Sequence, residues 1–347
     1  MTNLVLVDAS VGETRACLFD ENGLGLELAI ERWSEAATRA VRGACYEAKI
    51  TRVDAVLNAA FVELGVGEPG FLPFGKKGRP TQIHEGAKIL VEVTREALPG
   101  KGPNLRVLMN QTISKATPSL PQRMALPKQA TIQPTDRSGR EKIDAAMDEA
   151  LQSVVAITGG GDVCIEQTRA LVAIDVDTGS AQLTGGKFNY LAAQTLFRQL
   201  RLRGLGGIVV IDFAPMRSKN EQAALKVAVQ NMANNDPARV DVLPLSRFGT
   251  LELLRRRTGR SVSEILLDKT GTKTAETRAL EALRGLENEG YAQPGAQLVL
   301  RARGDVGRWL ATDSIGWQAA MVQRIGPRFE LDAHHTKQRQ HWEIIPK

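Results

Sequence analysis

Two apolar runs in the chain end on acid. Ala170-Leu171-Val172-Ala173-Ile174 leads into Asp175, with Asp177 two residues further on, and Gly207-Ile208-Val209-Val210-Ile211 leads into Asp212. An extended strand puts Asp175 and Asp177 on one face about 7 Å apart, and open α/β sheets take their ligands beyond the carboxyl ends of strands, so these acids are aimed at a crevice. Carboxylates gathered in a partly dry crevice repel one another unless protons, arginines or a divalent cation offset them. Hard oxygen ligands of this kind suit Mg²⁺, or Mn²⁺, held with several waters. The plainer role for a strand-end aspartate is to cap the helix that follows. Two long apolar strands that both stop on acid favour the site.

The elements around these residues follow from periodicity. A helix over Phe188 to Arg203, ended by Gly204, joins the two apolar runs into a βαβ unit whose parallel strands are expected to be buried on both faces. Ser218-Lys219-Asn220-Glu221 is a capping box that opens a helix to about Asn234. Val240 to Pro244 reads as a strand, and Thr250 to Arg257 as a short basic helix. Towards the N-terminus, Asp20-Glu21-Asn22-Gly23 supplies turn chemistry between two alternating strands. Tyr46 to Val53, Asn58 to Leu64, Gly70 to Phe74 and Ile89 to Thr94 are short strands separated by Gly, Pro and Asp, as in a small barrel of the oligonucleotide-binding kind. Five prolines between 103 and 140 predict an irregular connection, and a helix follows at about Glu141 to Ser153. A polar stretch over 258–273 reads as a linker, before a helix at Glu276 to Glu289 and a small α+β unit.

With 347 residues, 43% hydrophobic and 24% charged, the chain has enough apolar sequence for two or three domains and is neither collagen-like nor wholly disordered. No apolar run reaches the length of a membrane span. The N-terminus lacks a basic region before its apolar stretch, so a cytoplasmic protein without a signal peptide is expected. Cys17, Cys45 and Cys164 are too widely spaced for a zinc site or a disulfide framework. The net charge of +6 favours a polyanionic partner. The basic residues concentrate at Arg198, Arg201 and Arg203, at Arg255, Arg256 and Arg257, and at Lys76, Lys77 and Arg79. His334, His335 and His341 have no acidic or cysteine partner at ligand spacing, and read as solvated or RNA-facing.

The run from Ala170 to Asp177, then Thr184-Gly185-Gly186, then Arg198 to Phe213 through Asp212, then Ser246-Arg247-Phe248-Gly249 resembles the catalytic core of the ribonuclease E/G family. Ala59-Ala60-Phe61-Val62 and Gly70-Phe71-Leu72-Pro73 resemble that family's RNA-binding barrel. The resemblance implies an α/β multi-domain fold. It would comprise a ribonuclease-H-like unit in two segments (1–40 and 156–172), an inserted OB-type barrel (41–110), a truncated sensor-like connection (111–155), a deoxyribonuclease-I-like catalytic domain (173–258), a linker (259–275) and a small α+β domain (276–347).

As to function, the resemblance implies a Mg²⁺-dependent endonuclease for single-stranded RNA in RNA processing or decay, leaving 5′-phosphate products. Asp175 and Asp212 would hold the metal, while Phe61, Phe71, Lys101 and Arg247 would grip RNA. Asp177 stands where the family usually has Asn; ionised, it cannot donate a hydrogen bond, so it either joins the metal shell or forfeits a phosphate contact. No cysteine lies in Ser261 to Thr272, where the family places a shared zinc site. A shortened, zinc-free and chiefly monomeric member is therefore expected, with weak association through the small domain as the alternative. Arg137-Ser138-Gly139 is a candidate remnant of the family's pocket for a 5′-phosphate. The rival readings are a non-catalytic RNA-binding protein, such as a ribosome-assembly or RNA-handling factor, and a DNA-cutting nuclease with the same metal chemistry.

Overall fold

The computed structural model describes residues 3–75, 78–98, 100–108, 117–183, 185–334 and 341–347. Lys76, Lys77, Thr184 and His335 lie outside the described residues.

The chain opens with β1 (Leu4–Ser10), β2 (Glu13–Phe19) and β3 (Gly25–Arg32), an antiparallel meander turned at Gly12 and at Asp20–Gly23. Gly12 has φ +85°, and a Cβ there would lie 2.5 Å from Leu280 Cδ2, so only glycine lets this turn pack against the C-terminal domain. The chain then leaves for a closed barrel of β4 (Cys45–Asp54), β5 (Ala59–Glu63), β6 (Gly70–Pro73), β7 (Lys88–Arg95) and β8 (Asn104–Val107), in the order β4-β5-β6-β8-β7. Its core is Ile50, Ala60, Val62, Leu72, Val91, Val93 and Leu105, the alternate residues of each strand.

The described residues of the region expected to be irregular form regular elements. The short helix α1 (Leu120–Ala125) buries Leu120 and Met124 against Val5 and Leu18, and β9 (Thr131–Pro134) adds to β1 in parallel, giving a sheet of order β3-β2-β1-β9. Helix α2 (Arg137–Leu151) covers the other face through Ile143, Ala146 and Met147. It starts earlier than its apolar pattern suggested because Asp136 caps it by accepting from the Gly139 amide.

A six-stranded sheet follows, of order β10-β11-β12-β13-β15-β14. Its strands are β10 (Val154–Ala156), β11 (Asp162–Gln167), β12 (Val172–Asp177), β13 (Gly207–Asp212), β14 (Val240–Val242) and β15 (Thr250–Arg255). Only β12 and β13 pair in parallel, joined by α3 (Gly185–Leu202); α4 (Lys219–Asn234) follows β13 behind its capping box. The expected basic helix at Thr250 to Arg257 is instead β15. Leu251, Leu253 and Arg255 are buried while Glu252 and Leu254 are exposed, a period of two that the cluster of arginines obscured.

The polar stretch expected as a linker carries α5 (Val262–Leu266), whose Val262 and Leu266 are buried against the first sheet. The C-terminal domain sets α6 (Ala275–Ala292), α7 (Gly304–Thr312) and α8 (Trp317–Ile325) against a sheet of β16 (Leu298–Ala302), β17 (Phe329–Asp332) and β18 (Trp342–Pro346). Trp317 is fully buried there and donates its indole N–H to the Leu310 carbonyl at 2.9 Å. Among the described residues no helix is long and apolar enough to cross a membrane.

Candidate active site

Val172, Ile174, Val176, Val209 and Ile211 point to one face of the six-stranded sheet, where α3 and α4 bury them under Phe188, Leu196, Leu225 and Val229. The alternate residues point the other way. That second face is open, since both helices lie on the first: Ile208 is 48% exposed, and Asp175, Asp177 and Asp212 are all exposed. The expectation that the strands are buried on both faces, and that the acids sit in a partly dry crevice, is corrected accordingly.

Asp175 and Asp212 are register partners on the parallel pair β12 and β13. Adjacent strands place their backbones about 4.8 Å apart. The row continues across the sheet as Cys164, Asp175, Asp212, Thr250, so a thiol and a hydroxyl flank the acids within the sheet. Neither carboxylate has a hydrogen bond or ion pair with a described residue. Like charges at this spacing repel, and exposure keeps both oxygens available. The pair fits a divalent cation of the Mg²⁺ type, which takes one or two carboxylates and fills its remaining positions with water and phosphate oxygens. No group of three or more acidic, histidine or cysteine side chains at metal-ligand distance occurs among the described residues.

Asp177 is used differently. Its carboxylate accepts from the Gly179 amide at 2.9 Å, which closes the turn after β12. The Gly159-Gly160-Gly161 loop lies under this turn, and a Cβ on Gly161 would come within 2.5 Å of the Asp177 carbonyl. Glu221, in the first turn of α4, accepts from the Arg217 and Ser218 amides and from the Gly186 amide at the start of α3, which ties together the helices that follow the two acidic strands. Hydrogen bonds from Ser218 and then Gly186 hold its carboxyl below the usual range.

At the other side of the pair, Ser246 Oγ accepts from the amides of Phe248 and Thr250, shaping the turn into β15 beside Asp212. Arg247 is exposed on this turn. So is Phe248, at 93%. Phe248 shares the Ser246-Arg247-Phe248-Gly249 turn from which the sequence singles out Arg247.

The barrel residues form a second cluster. Phe61 and Phe71 are cross-strand partners whose side chains alternate with the core residues Ala60, Val62 and Leu72, so they stand on the outside of the barrel. Their rings meet edge to face at 5.8 Å, and the Arg52 guanidinium lies 4.3 Å over Phe61. Lys101 is exposed just before Pro103, whose carbonyl accepts from the Phe71 amide.

Most of the arginines read as a polyanion-facing surface are structural. Arg198 pairs with Glu149, Arg257 with Glu264, and the buried Arg255 holds Asp236 at 3.0 Å and the Leu205 carbonyl. Arg203 is buried against Gln199, and desolvation lowers its pKa. Arg201 alone of its helix cluster has no such partner among the described residues.

Two unpartnered carboxylates lie in register on an open α/β sheet, on the same chain as a closed five-stranded barrel that carries the half-buried ring pair Phe61 and Phe71. Residues 73–258 match the Ribonuclease E/G family, and the chain belongs to it. It is 35% identical to Ribonuclease E of Escherichia coli (strain K12) over 161 residues, 43% of this chain and 15% of that protein. It is 25% identical to Ribonuclease G of Salmonella typhimurium (strain SL1344) over 216 residues, 58% of this chain and 44% of that one. The chain thus spans less than half the length of these relatives.

Proposed function

We propose that the protein is a metal-dependent endonuclease for single-stranded RNA, acting in cytoplasmic RNA processing or decay and leaving 5′-phosphate ends. The observation that carries this reading is the in-register, unpartnered pair Asp175 and Asp212 within the segment that matches the family. We assign the first sheet as ribonuclease-H-like, since its order β3-β2-β1-β9 has the last strand parallel to β1. We take the barrel as OB-type and the six-stranded unit as the deoxyribonuclease-I-like catalytic domain; that sheet includes β10 and β11, from the stretch around 156–172 expected to complete the ribonuclease-H-like part.

Asp175 and Asp212 would hold Mg²⁺, or Mn²⁺, which when bound supplies Lewis-acid stabilisation of charge on the phosphodiester. The residues of the chain do the rest. Arg247 offers a planar fork to a phosphate oxygen. Phe248 gives a base somewhere to stack beside the acid pair. Phe61 and Phe71 stack on splayed bases, while Lys101 and Arg52 neutralise backbone phosphates. Asp177 shapes the turn rather than donating to phosphate.

The test is incubation of purified protein with a 5′-labelled unstructured RNA, with and without Mg²⁺, beside a DNA of matched sequence. Cleavage of the RNA alone, dependent on the cation, is expected. Tight RNA binding with no cleavage at any Mg²⁺ or Mn²⁺ concentration would leave a non-catalytic RNA-binding protein.

A further inference from the structure

A cavity of about 520 Å³ opens where the β3 edge of the first sheet, the barrel stem and the C-terminal end of α3 meet. Its walls carry Arg42, Lys128 and Arg201, none of whose side chains has a hydrogen bond or ion pair with a described residue. Other cations in the lining are committed elsewhere, as Arg39 is to Glu96 and Arg255 to Asp236. Among the lining residues, the buried atoms Arg201 Nε and Glu27 Oε1 have no hydrogen-bond partner among the described residues. Leu126, which is 70% exposed, and Pro127 and Pro237 add apolar wall beside the charges.

Buried polar groups are normally satisfied, and an unpaired guanidinium in a cleft is costly without a counter-charge. Arg42, Lys128 and Arg201 outnumber Glu27, the lining carboxyl without an ion pair, and leave the cavity positive. The volume falls within the range of small-molecule sites, and apolar wall beside a charged end matches a ligand with a flat body and an anionic group. We propose that this cavity binds a phosphate ester of mononucleotide size, with Arg201 and Lys128 on the phosphate and the apolar wall against its body. The site is separate from the acid pair. Arg255 and Gly207 pair at one end of β15 and β13 and Thr250 and Asp212 at the other, about 17 Å along the strands. A ligand here would bridge the barrel stem and the catalytic domain, and so would fix how the barrel is held.

The phosphate can come from a free nucleotide or from a nucleotide within an RNA chain, and the same residues would take either. Burial pushes the Glu27 carboxyl up, opposed chiefly by Arg201, in keeping with a group that a bound anion would disfavour further as a carboxylate.

Isothermal titration of the full chain with AMP, UMP and inorganic phosphate tests this. Saturable one-to-one binding of a mononucleotide is expected, weakened at least tenfold by Arg201→Gln and by Lys128→Gln, strengthened by Glu27→Gln and unchanged by Lys226→Gln on the exposed face of α4. Thermal unfolding of each variant separates lost binding from lost folding, and Lys128→Gln, a change outside the core, keeps the test available if Arg201→Gln unfolds. Displacement of the nucleotide by a 5′-hydroxyl single-stranded RNA would assign the phosphate to RNA, and its persistence to a free nucleotide. No saturable binding of any probe, or binding unaltered in both cavity variants, would overturn the proposal. Because binding is read without cleavage, and should survive Asp212→Asn, failure here is distinguishable from failure of the nuclease reading.

Discussion

Glu13 and Asp212 are both acids on β-strands, yet Glu13 is enclosed by guanidinium groups while Asp212 faces solvent beside another carboxylate. Glu13 accepts from Arg32 at 2.9 Å and from Arg284 at 2.7 Å, and Arg32 continues to Glu276 and Thr277. Asp8 is held by Arg15 at 2.6 Å and by Arg140 at 3.1 Å. These pairs lie where the first sheet meets the C-terminal domain, and they are spent on structure. The open sheet face leaves its acid pair unspent. Charge that folding has not neutralised is charge that a ligand can use, and this separates a candidate site from a structural network even where residue types are the same.

The comparison is broken most sharply at the acid pair. Asp175→Asn or Asp212→Asn should abolish Mg²⁺-dependent cleavage, raising the barrier by several kcal/mol, because each removes a ligand. RNA affinity should hold or rise, since repulsion of phosphate is relieved, and the unfolding midpoint should not fall. Cleavage assays, filter binding and thermal melts on the same preparations check all three. Residual activity near the parent level would sink the metal assignment.

At the buried joint the same kind of change should act on stability instead. Arg32→Met leaves Glu13 with Arg284 alone and Glu276 with only the Ser34 hydroxyl, and loss of one member of a buried pair costs about 3–5 kcal/mol. Urea unfolding should show it, with cleavage per folded molecule unchanged. The joint also carries a pH signature. Burial raises the Asp8 pKa, but Arg15, Ser10 and Arg140 outweigh it and leave it below the ordinary value of about 3.9. A folded-state pKa below the unfolded one stabilises the protein above that value, and the contribution is lost as pH falls towards the folded-state pKa. Unfolding midpoints measured from pH 6 to 2.5 should therefore drop below about pH 4, and Asp8→Asn should flatten that drop.

A smaller effect is expected on the barrel. Phe61→Ala and Phe71→Ala should each weaken binding to single-stranded RNA by about 1–3 kcal/mol, as measured by fluorescence anisotropy, while folding survives because the barrel core lies on the opposite side of both strands. Unchanged affinity with a lowered melting temperature would make the pair a packing contact.

Much of this was legible in the sequence, for identifiable reasons. Alternation fixed four of the five barrel strands, and the apolar runs that end at Asp175 and Asp212 marked two neighbouring strands. Periodicity does not say on which side a helix packs, so the open face, and with it the exposure of the acids, appeared only in three dimensions. Arg255 shows the reverse failure. A run of three arginines reads as surface, yet burial against Asp236 and the Leu205 carbonyl makes it part of a strand. Sequence spacing also could not pair Glu13 with Arg284, which depends on the turn at Gly12 meeting α6.

The smallest expected effect concerns the RNA 5′ end. Preference for a 5′-monophosphate requires contacts made to that group and not to a hydroxyl, since only differential affinity shifts a population. The candidate remnant Arg137-Ser138-Gly139 is the first turn of α2. The Gly139 amide is already taken by Asp136, and the Arg137 side chain is 87% exposed and 3.6 Å from Glu141. We therefore expect 5′-monophosphate and 5′-hydroxyl forms of one RNA to be cut at rates within about threefold, roughly 0.7 kcal/mol or less. Ser261 to Thr272 has no cysteine to share a zinc ion between subunits, and its Val262 and Leu266 are turned into the first sheet, so a zinc-free and chiefly monomeric protein is expected alongside. Single-turnover kinetics on the two RNAs, sedimentation and metal analysis measure these together. A preference above tenfold for the monophosphate would place the 5′ phosphate in another pocket, the cavity of Arg201 and Lys128 being the first to test, and a stoichiometric zinc in a stable dimer would mean that other ligands hold the subunits together.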